Sequence, residues 1–510
     1  MNATIRLWLA ACKRRIQGRL NAADLRGSGR PIMTASNIHY ATARRSQGIA
    51  HGGIGAMHAL ARRIGLIDAI DNKLHLLMIH MPYHESDHVL NFAYNALCDG
   101  GCLQDIELRR NNAAFLDALG ARRIPDPTTA GDFCRRFTPE QIQTLLDIFH
   151  DVRIRVWANQ PTEFFNQAII DMDGHLVETT GQCKEGMDIA YDGTWGYHPL
   201  LLTLANTGEV LSVVNRSGNR PSHEGAAEQV DRCLAVCFRG GFRQVLLRGD
   251  TDFSQTHHLD RWNADPRVRF IFGYDCMSNL VEIAENLQDK CWRPLKRPPR
   301  YQVKTEPRRR PANVRNQVVV SREFQNLQLQ SEWVAEFTYQ PTACAQAYRM
   351  VVIKKNISVE KGEKRLFDEI RYFFYITNYS ATELSAAEVV FQANDRCNQE
   401  NLIAQLSGGV RALQAPVDNL VSNWAYMVMT ALAWNLKAWW ALTLPEGGRW
   451  QEKHRAEKRW VLRLEFKAFR QAFIDLPCQI IRTGRRLVYR LLAWNPHLPI
   501  FFRLLDRLRR

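Results

Sequence analysis

Two aspartates close a short apolar run in the first half of the sequence, Ile169-Ile170-Asp171-Met172-Asp173. If this run is a β-strand, its side chains alternate between two faces, so Asp171 and Asp173 lie on the same face. Carboxylates at the end of a buried strand are costly unless a cation meets them, and a divalent metal ion does this well. The alternative is a pair of solvated aspartates at a strand end.

A second acidic strand end follows in the run Val245–Asp250, where three apolar residues lead into Arg248, Gly249 and Asp250. Gly249 permits a close approach of another part of the chain. Asp252, two residues further on, could instead cap the next helix. Because ligands gather at the carboxyl ends of strands in open α/β sheets, the two acidic strand ends could converge.

A third carboxylate, Glu400, comes much later and lies four residues after Arg396. This spacing puts both side chains on one face of a helix. It usually indicates a surface ion pair, which contributes little to stability. Each of the three acidic signals is weak when taken alone.

The elements around these carboxylates predict an α/β core between helical regions. From Ala50 to about Ile154, apolar residues recur at three- and four-residue spacing, which is typical of helices. From about Phe164, short apolar runs bounded by turns predict three strands, followed by alternating helices and strands. This order indicates a mixed sheet.

The second half of the chain begins with a Pro- and Arg-rich stretch, Lys296–Pro311, that reads as a basic loop or linker. Four β-like runs follow it, at 316–324, 332–340, 348–356 and 369–378. From Ser385 almost to the end the pattern is helical, and the last part of the chain, including RRLVYRLLAW, is basic and amphipathic.

The charge balance favours a polyanionic partner, because 67 Lys and Arg face 52 Asp and Glu, a net charge of +15 over 510 residues. The partner could be nucleic acid or an anionic membrane surface. The charge-free stretch between Asp418 and Lys437 contains several Asn and Ser residues, so we predict a buried helix and no membrane span. The basic residues of the N-terminus follow its short apolar segment, the wrong order for a secretion signal, which indicates a cytoplasmic protein.

In combination, these motifs resemble bacterial insertion-sequence transposases, specifically the group-1 DDE transposases. The resemblance extends over nearly the whole chain. It rests mainly on IIDMDGH (169–175), YHPL (197–200), RGDTDF (248–253) and RCNQEN (396–401). It implies a catalytic triad of Asp173, Asp250 and Glu400, with gaps of 250 − 173 = 77 and 400 − 250 = 150 residues. Asp171 remains a rival to Asp173 as the first ligand, since strand alternation puts both on one face.

The fold that the resemblance implies is an α/β ribonuclease H-like catalytic core, a mixed sheet flanked by helices, with an inserted β-rich subdomain and helical N- and C-terminal regions. The predicted divisions are a basic flexible arm (1–35), a helical N-terminal region that binds DNA ends (36–160), the first part of the core (161–295), the inserted β-rich subdomain (296–384), helices that complete the core and carry Glu400 (385–445), and a basic helical C-terminal region (446–510).

The implied activity is metal-dependent DNA cleavage and strand transfer at the ends of an insertion sequence. Carboxylate ligands suit Mg²⁺ or Mn²⁺, and two ions would activate water and stabilise the leaving oxygen. Asp173 would bridge both ions, with Asp250 and Glu400 completing one site each. The implied partners are double-stranded DNA, as terminal inverted repeats and target, and a second copy of the chain on paired ends, in the bacterial cytoplasm at the nucleoid.

Arginines are the predicted phosphate contacts, although solvated surface charge is the alternative for about half of them. The DNA-binding candidates are Arg248, Arg396, the linker residues Arg297, Arg300, Arg308, Arg309 and Arg310, and the C-terminal residues Arg485, Arg486, Arg490, Arg507, Arg509 and Arg510. Trp333 could stack on an unpaired base, but a buried aromatic side chain in a β-rich region is the favoured interpretation.

Several departures from the family pattern keep other interpretations open. His175 stands where Thr is commoner, and Thr251-Asp252 replaces Ser-Gly. A broader transposase signature would have Tyr at position 393 and Lys at 407, where this chain has Ala393 and Ser407. The alternatives are a catalytically impaired DNA-binding relative of a transposase and a stand-alone ribonuclease H-like metal nuclease.

Overall fold

The computed structural model describes residues 3–21, 35–36, 38–40, 48–79, 82–297, 314–322, 325–361, 363–364, 369–484 and 486–509. Its strands are β1 (Gly48–Ile49), β2 (Ala168–Gly174), β3 (Val177–Glu178), β4 (Asp188–Ile189), β5 (Trp195–Tyr197), β6 (Leu200–Leu204), β7 (Glu209–Val214), β8 (Val245–Gly249), β9 (Val268–Tyr274), β10 (Arg293–Pro294), β11 (Gln325–Tyr339), β12 (Tyr348–Lys361), β13 (Glu363–Lys364), β14 (Glu369–Thr377), β15 (Cys478–Thr483) and β16 (Arg486–Leu491).

Helices account for most of the remaining described residues. They are α1 (Ala3–Asn21), α2 (Ile54–Arg63), α3 (Leu66–Lys73), α4 (Glu85–Leu97), α5 (Ile106–Arg110), α6 (Ala113–Leu119), α7 (Pro127–Arg135), α8 (Pro139–Trp157), α9 (Ala226–Arg239), α10 (Thr256–Asn263), α11 (Ser278–Glu285), α12 (Val314–Arg322), α13 (Ala386–Asp395), α14 (Cys397–Ala404), α15 (Leu420–Thr443), α16 (Gln451–Arg463), α17 (Phe466–Phe473) and α18 (Leu498–Arg509). The helical pattern predicted from Ala50 to about Ile154 is confirmed.

A mixed sheet runs through the centre of the molecule in the order β10-β11-β12-β14-β9-β8-β2-β6-β7, with β13 paired to β12. Strand β8 is parallel to both β2 and β9, whereas β6 and β7 are antiparallel additions on the other side of β2. The strands nearest the centre are buried on both faces, as their almost continuous apolar sequences require. A mixed sheet flanked by helices was predicted, and it is confirmed.

The strands of the predicted β-rich subdomain continue this central sheet. Strand β14 pairs antiparallel with β9, with Phe374 opposite Tyr274, and β12 and β11 follow outward. The run 316–324, the first of the four predicted strands, is instead mostly the helix α12. A short apolar run does not distinguish strand from helix by periodicity, which explains the error.

Helix α15 is the buried helix that the charge-free stretch predicted. The side chain of Asn419 caps it by accepting a hydrogen bond from the Ser422 amide at 2.8 Å, and most of its 24 residues are buried. Asn435 accepts a hydrogen bond from the Val210 amide and donates one to the Val210 carbonyl. It therefore provides hydrogen-bond partners for backbone groups at the unpaired edge of β7. No helix in the described ranges combines the length and apolar character needed to span a membrane.

A fully buried carboxylate joins α8, β7 and α15. Glu209 accepts hydrogen bonds from Arg153, Trp157, Thr207 and Trp439 at 2.6 to 3.0 Å. Arg153 and Glu209 are at most 1% exposed, so their charges neutralise each other away from water. This network fixes the helical layer on the sheet.

The prediction of a flexible arm at the N-terminus is wrong for residues 3–21, which form helix α1. The segment is rich in Ala, Leu and Arg, which are good helix formers. Leu9 and Cys12 are buried and Ile5 is half-buried, and their spacing puts all three on one helix face. The rest of the predicted arm, up to residue 34, lies outside the described residues.

The C-terminal region also differs from its purely helical prediction, because RRLVYRLLAW begins with the strand β16. Strands β15 and β16 form a hairpin, and β15 pairs with β1, with Gly48 opposite Gln479. The turn contains Gly484 at φ 54°, a conformation that favours glycine. The β-branched side chains of Ile480, Ile481 and Val488 favour strands over the helix that the basic pattern indicated.

Candidate active site

The first two predicted carboxylates lie at the ends of neighbouring parallel strands. Strands β2 and β8 pair with Ile170 opposite Leu247 and Asp171 opposite Arg248, a constant offset of 77 residues. Because the offset is constant, Asp173 lies beside Asp250. Asp173 is near the end of β2, and Asp250 directly follows β8. Asp250 also begins a short turn, where its side chain accepts a hydrogen bond from the Asp252 amide at 3.1 Å.

Arg396 joins these two carboxylates. It lies at the break between α13 and α14, and its guanidinium is 3.1 Å from an Asp173 oxygen and 3.6 Å from an Asp250 oxygen. The arginine side chain is only 17% exposed. One cation therefore contacts both strand-end carboxylates.

The electrostatics of the two aspartates show a shortage of positive charge. Burial raises the pKa of Asp173 to about 6, with Arg396 opposing the shift and Asp250 adding to it. Burial likewise raises the pKa of Asp250, where Arg396 again opposes the shift and Asp252 adds to it. Desolvation and like charge both disfavour ionised carboxylates, and an added cation would relieve both. The donor set and its charge therefore fit a divalent metal ion.

Asp171 has a different partner, which contacts both of its carboxylate oxygens. It is 1% exposed and forms two parallel hydrogen bonds with Arg248, at 2.6 and 2.8 Å. Arg248 also donates to the Gln392 carbonyl of α13 at 2.8 Å. The prediction that Arg248 contacts DNA is corrected for the same reason, because its side chain is buried in this pair.

Glu400, the third predicted ligand, is exposed on α14. The neighbouring Gln399 donates a hydrogen bond to the Asp171 carbonyl at 3.1 Å, which ties α14 to β2. Among the described residues, no group of three His, Cys, Asp or Glu side chains is placed to hold a metal ion. No ion pair between Arg396 and Glu400 is found in this part of the chain, so the surface pair that their spacing indicated is also absent. The structure brings together two of the three predicted ligands.

A cleft of about 300 Å³ opens beside Asp250 and Arg396. Aromatic side chains from β14 form one wall, and Ala393, where the wider signature has Tyr, lines the other. Gly273 faces the Asp250 backbone so closely that a Cβ would lie 2.8 Å from the Thr251 nitrogen. Gly249 is equally confined, since a Cβ there would lie 2.6 Å from that of Phe253, which confirms the predicted close approach.

His175, which replaces the usual Thr, is half-buried next to this site. Burial lowers its pKa, and the nearby His198 lowers it further. His198 is itself fixed by a contact of 2.8 Å between its Nδ1 and the Arg220 carbonyl. Both effects disfavour the protonated form of His175.

The remaining predicted DNA contacts are scattered. Arg297 is paired with Glu332 at 2.6 Å, and Arg486, Arg490, Arg507 and Arg509 are exposed. Arg300, Arg308, Arg309, Arg310, Arg485 and Arg510 lie outside the described residues. Trp333 is 40% exposed, so the interpretation of a buried aromatic side chain is wrong.

Comparison with known proteins identifies the class. The family described as transposase DDE domain, group 1, matches residues 45–510. The chain belongs to this family of DDE transposases. No curated protein matches the sequence. Among solved structures, the chain is similar to a piggyBac transposase in a synaptic complex with hairpin DNA, with a TM-score of 0.38 and 10% sequence identity over 83% of this chain and 80% of the other.

Proposed function

We propose that the protein cuts DNA at the ends of a bacterial insertion sequence and transfers the freed 3′ ends to target DNA. The observation that carries this proposal is the convergence of Asp173 and Asp250 on one cation at adjacent strand ends. Family membership supports the same chemistry. Two copies on paired ends, acting in the bacterial cytoplasm at the nucleoid, complete the proposal.

The strand arrangement supports a ribonuclease H-like core. Strands β2, β6 and β7 form an antiparallel unit, and α9, β8, α10 and β9 follow as alternating helices and parallel strands. In space these five strands are ordered β7-β6-β2-β8-β9. This order puts the first and fourth strands of the core side by side, which is where the two carboxylates are needed.

Asp173 and Asp250 are the residues that would hold Mg²⁺ or Mn²⁺, with Glu400 supplying the third carboxylate from α14. When bound, two such ions would activate water and neutralise the leaving oxygen of the phosphodiester. Arg396 keeps the two aspartates together without metal, and metal binding would release its guanidinium for a DNA phosphate. The Asp171–Arg248 pair fixes the register of β2 and β8, and so positions both ligands.

The decisive experiment compares wild-type protein with Asp250→Asn on DNA carrying the element's ends. We expect metal-dependent cleavage by the wild type, none by the variant, and DNA binding by both. Asp289→Asn, at an exposed aspartate, is the matched control and should cut like the wild type. Cleavage by Asp250→Asn at the wild-type rate would refute the assignment.

A catalytically impaired DNA-binding relative is the second candidate, favoured by the exposed position of Glu400 and by Ala393 and Ser407. It predicts DNA binding without cleavage by the wild type at any Mg²⁺ or Mn²⁺ concentration. A stand-alone nuclease would cut but would not join 3′ ends to target DNA. A cleavage assay and a strand-transfer assay together therefore separate all three functions.

A further inference from the structure

A basic cavity among the described residues lies away from the aspartates. It measures about 760 Å³ and lies between the ends of α2, α8 and α15 and the helices α16 and α18. We call it the basic groove, after the cationic side chains that line it: Arg63, Arg155, Arg455, Lys458 and Arg507. A second cavity of about 470 Å³ shares Arg63 with it and adds Arg62.

The groove is at the opposite edge of the sheet from Asp173 and Asp250. Gln160 and Pro161 line it, and the chain then leads through Phe165 to the amino end of β2. The Phe165 carbonyl accepts a hydrogen bond from the Arg243 amide, just before β8, so this segment lies at the amino ends of both strands.

The direction of α15 leads to the same conclusion. Its first residue, Leu420, accepts a hydrogen bond from Asn215 at the carboxyl end of β7, and Trp434 donates one to Gly208 just before β7. Strand β7 runs parallel to β2, so α15 ends at the amino edge, where Leu442 lines the groove. The seven residues of β2 at about 3.3 Å each separate the edges by roughly 23 Å.

The charges of the groove are only partly neutralised. Its carboxylate, Glu446, contacts Lys458 at 2.8 Å and Arg455 at 3.4 Å. Arg63 and Arg507 are exposed and have no carboxylate partner among the described residues, and the contacts found for Arg155 are to backbone carbonyls. Like charges gathered in one concave surface raise its positive potential, which attracts a polyanion.

We propose that the basic groove binds the phosphates of duplex DNA, as a second contact separate from the catalytic carboxylates. Guanidinium groups from different helices present forked donors that match phosphate oxygens. The inference rests on the proposed function, because it takes DNA as the polyanion. It adds a position for that DNA which the carboxylate site does not provide.

The test is metal-free binding of a duplex of about 30 base pairs at several salt concentrations, followed by fluorescence anisotropy. Each phosphate contact contributes a slope of roughly 0.9 to log K against log salt, so Arg63→Gln/Arg507→Gln should lower the slope by about 2. The conservative Arg63→Lys/Arg507→Lys should keep most of it. The matched control, Arg232→Gln/Arg261→Gln, removes two exposed arginines on α9 and α10 and should not change the slope.

An unchanged slope for Arg63→Gln/Arg507→Gln, in a protein with wild-type thermal unfolding, overturns the inference. A loss of poly-glutamate binding in the same variant, with DNA binding unchanged, would also overturn it. The groove would then be assigned to an acidic protein partner. Failure of the proposed function looks different, because wild-type protein would then bind DNA through the groove but cut nothing.

Discussion

At the scale of single residues, the pH response of Asp173 follows from its burial. Its pKa of about 6 exceeds the usual 3.8, so the native state binds more protons than the unfolded state between these values. The free energy of unfolding therefore falls as the pH rises through this window, and the loss is complete above it. The carboxylate that the proposed chemistry requires makes the metal-free protein less stable at neutral pH.

Asp173→Asn should accordingly stabilise the metal-free protein above about pH 6, by up to ~3 kcal/mol, and have little effect below about pH 4. Urea unfolding at pH 4 and pH 8 measures this difference. Asp289→Asn is the control, since that aspartate is exposed. A destabilised Asp173→Asn at pH 8 would contradict the prediction.

Metal binding should offset the loss of stability caused by the ionised Asp173. A ligand that binds only the native state adds about 2.7 kcal/mol at a hundred times its Kd, so Mg²⁺ or Mn²⁺ should raise the Tm of the wild type. Asp173→Asn and Asp250→Asn should lose most of this increase. Chelation with EDTA should return the wild type to its metal-free Tm and abolish cleavage. Equal increases in all three proteins would place the metal elsewhere.

Neutralising Glu209, which pairs with Arg153 in the core, should lower the free energy of unfolding, in contrast to Asp173→Asn. Glu209→Gln leaves the Arg153 charge buried without its carboxylate, and breaking a buried pair in this way costs roughly 3–5 kcal/mol. Glu228→Gln, which removes the exposed pair with Arg232, should cost at most about 0.5 kcal/mol. Chemical denaturation of both variants compares the two costs.

At the scale of elements, sequence reasoning located the strands that carry Asp173 and Asp250 but could not choose between Asp171 and Asp173. Both point to one face, and the choice depends on the partner across the strand, Arg248, which is 77 residues away. The cation that bridges the aspartates was missed because the spacing of Arg396 and Glu400 indicated a local pair. Contacts between distant segments decided both points, and local patterns do not record them.

Helix α15 offers a test of how elements are joined. Asn435→Leu should leave the Val210 amide buried without a partner, at a cost of roughly 1–3 kcal/mol, whereas Arg153 still donates a hydrogen bond to the Val210 carbonyl. Asn419→Ala, which removes only the cap of the same helix, should cost about 1 kcal/mol. Thermal unfolding of the two variants ranks the contributions. A smaller loss for Asn435→Leu would mean that β7 gains other hydrogen-bond partners.

At the scale of the whole molecule, the regions predicted as separate share their sheets. Strands from the predicted β-rich subdomain extend the central sheet at β9, and β1 near the N-terminus is completed by β15. The predicted boundaries followed changes in local pattern. They did not include strand pairing, because pairing partners lie far apart in sequence.

Removal of residues 446–510 should therefore prevent stable folding of the helical N-terminal region, since β1 loses its partner strand. Removal of residues 1–21 is the matched control, because α1 buries only Leu9 and Cys12 among its described side chains. Limited proteolysis and the yield of soluble protein measure both truncations. Equal resistance to proteolysis would contradict a joint fold.

The pairing of Gly48 with Gln479 also constrains synthesis on the ribosome. The two residues are 479 − 48 = 431 positions apart, so translation must pass Gln479 before the sheet of β1, β15 and β16 can form. Until then, the nascent chain exposes apolar side chains that the last helices later cover, and such surfaces attract chaperones and aggregate readily. Synthesis of β15, not emergence of β2 and β8, is therefore expected to set the moment at which the chain can complete its fold.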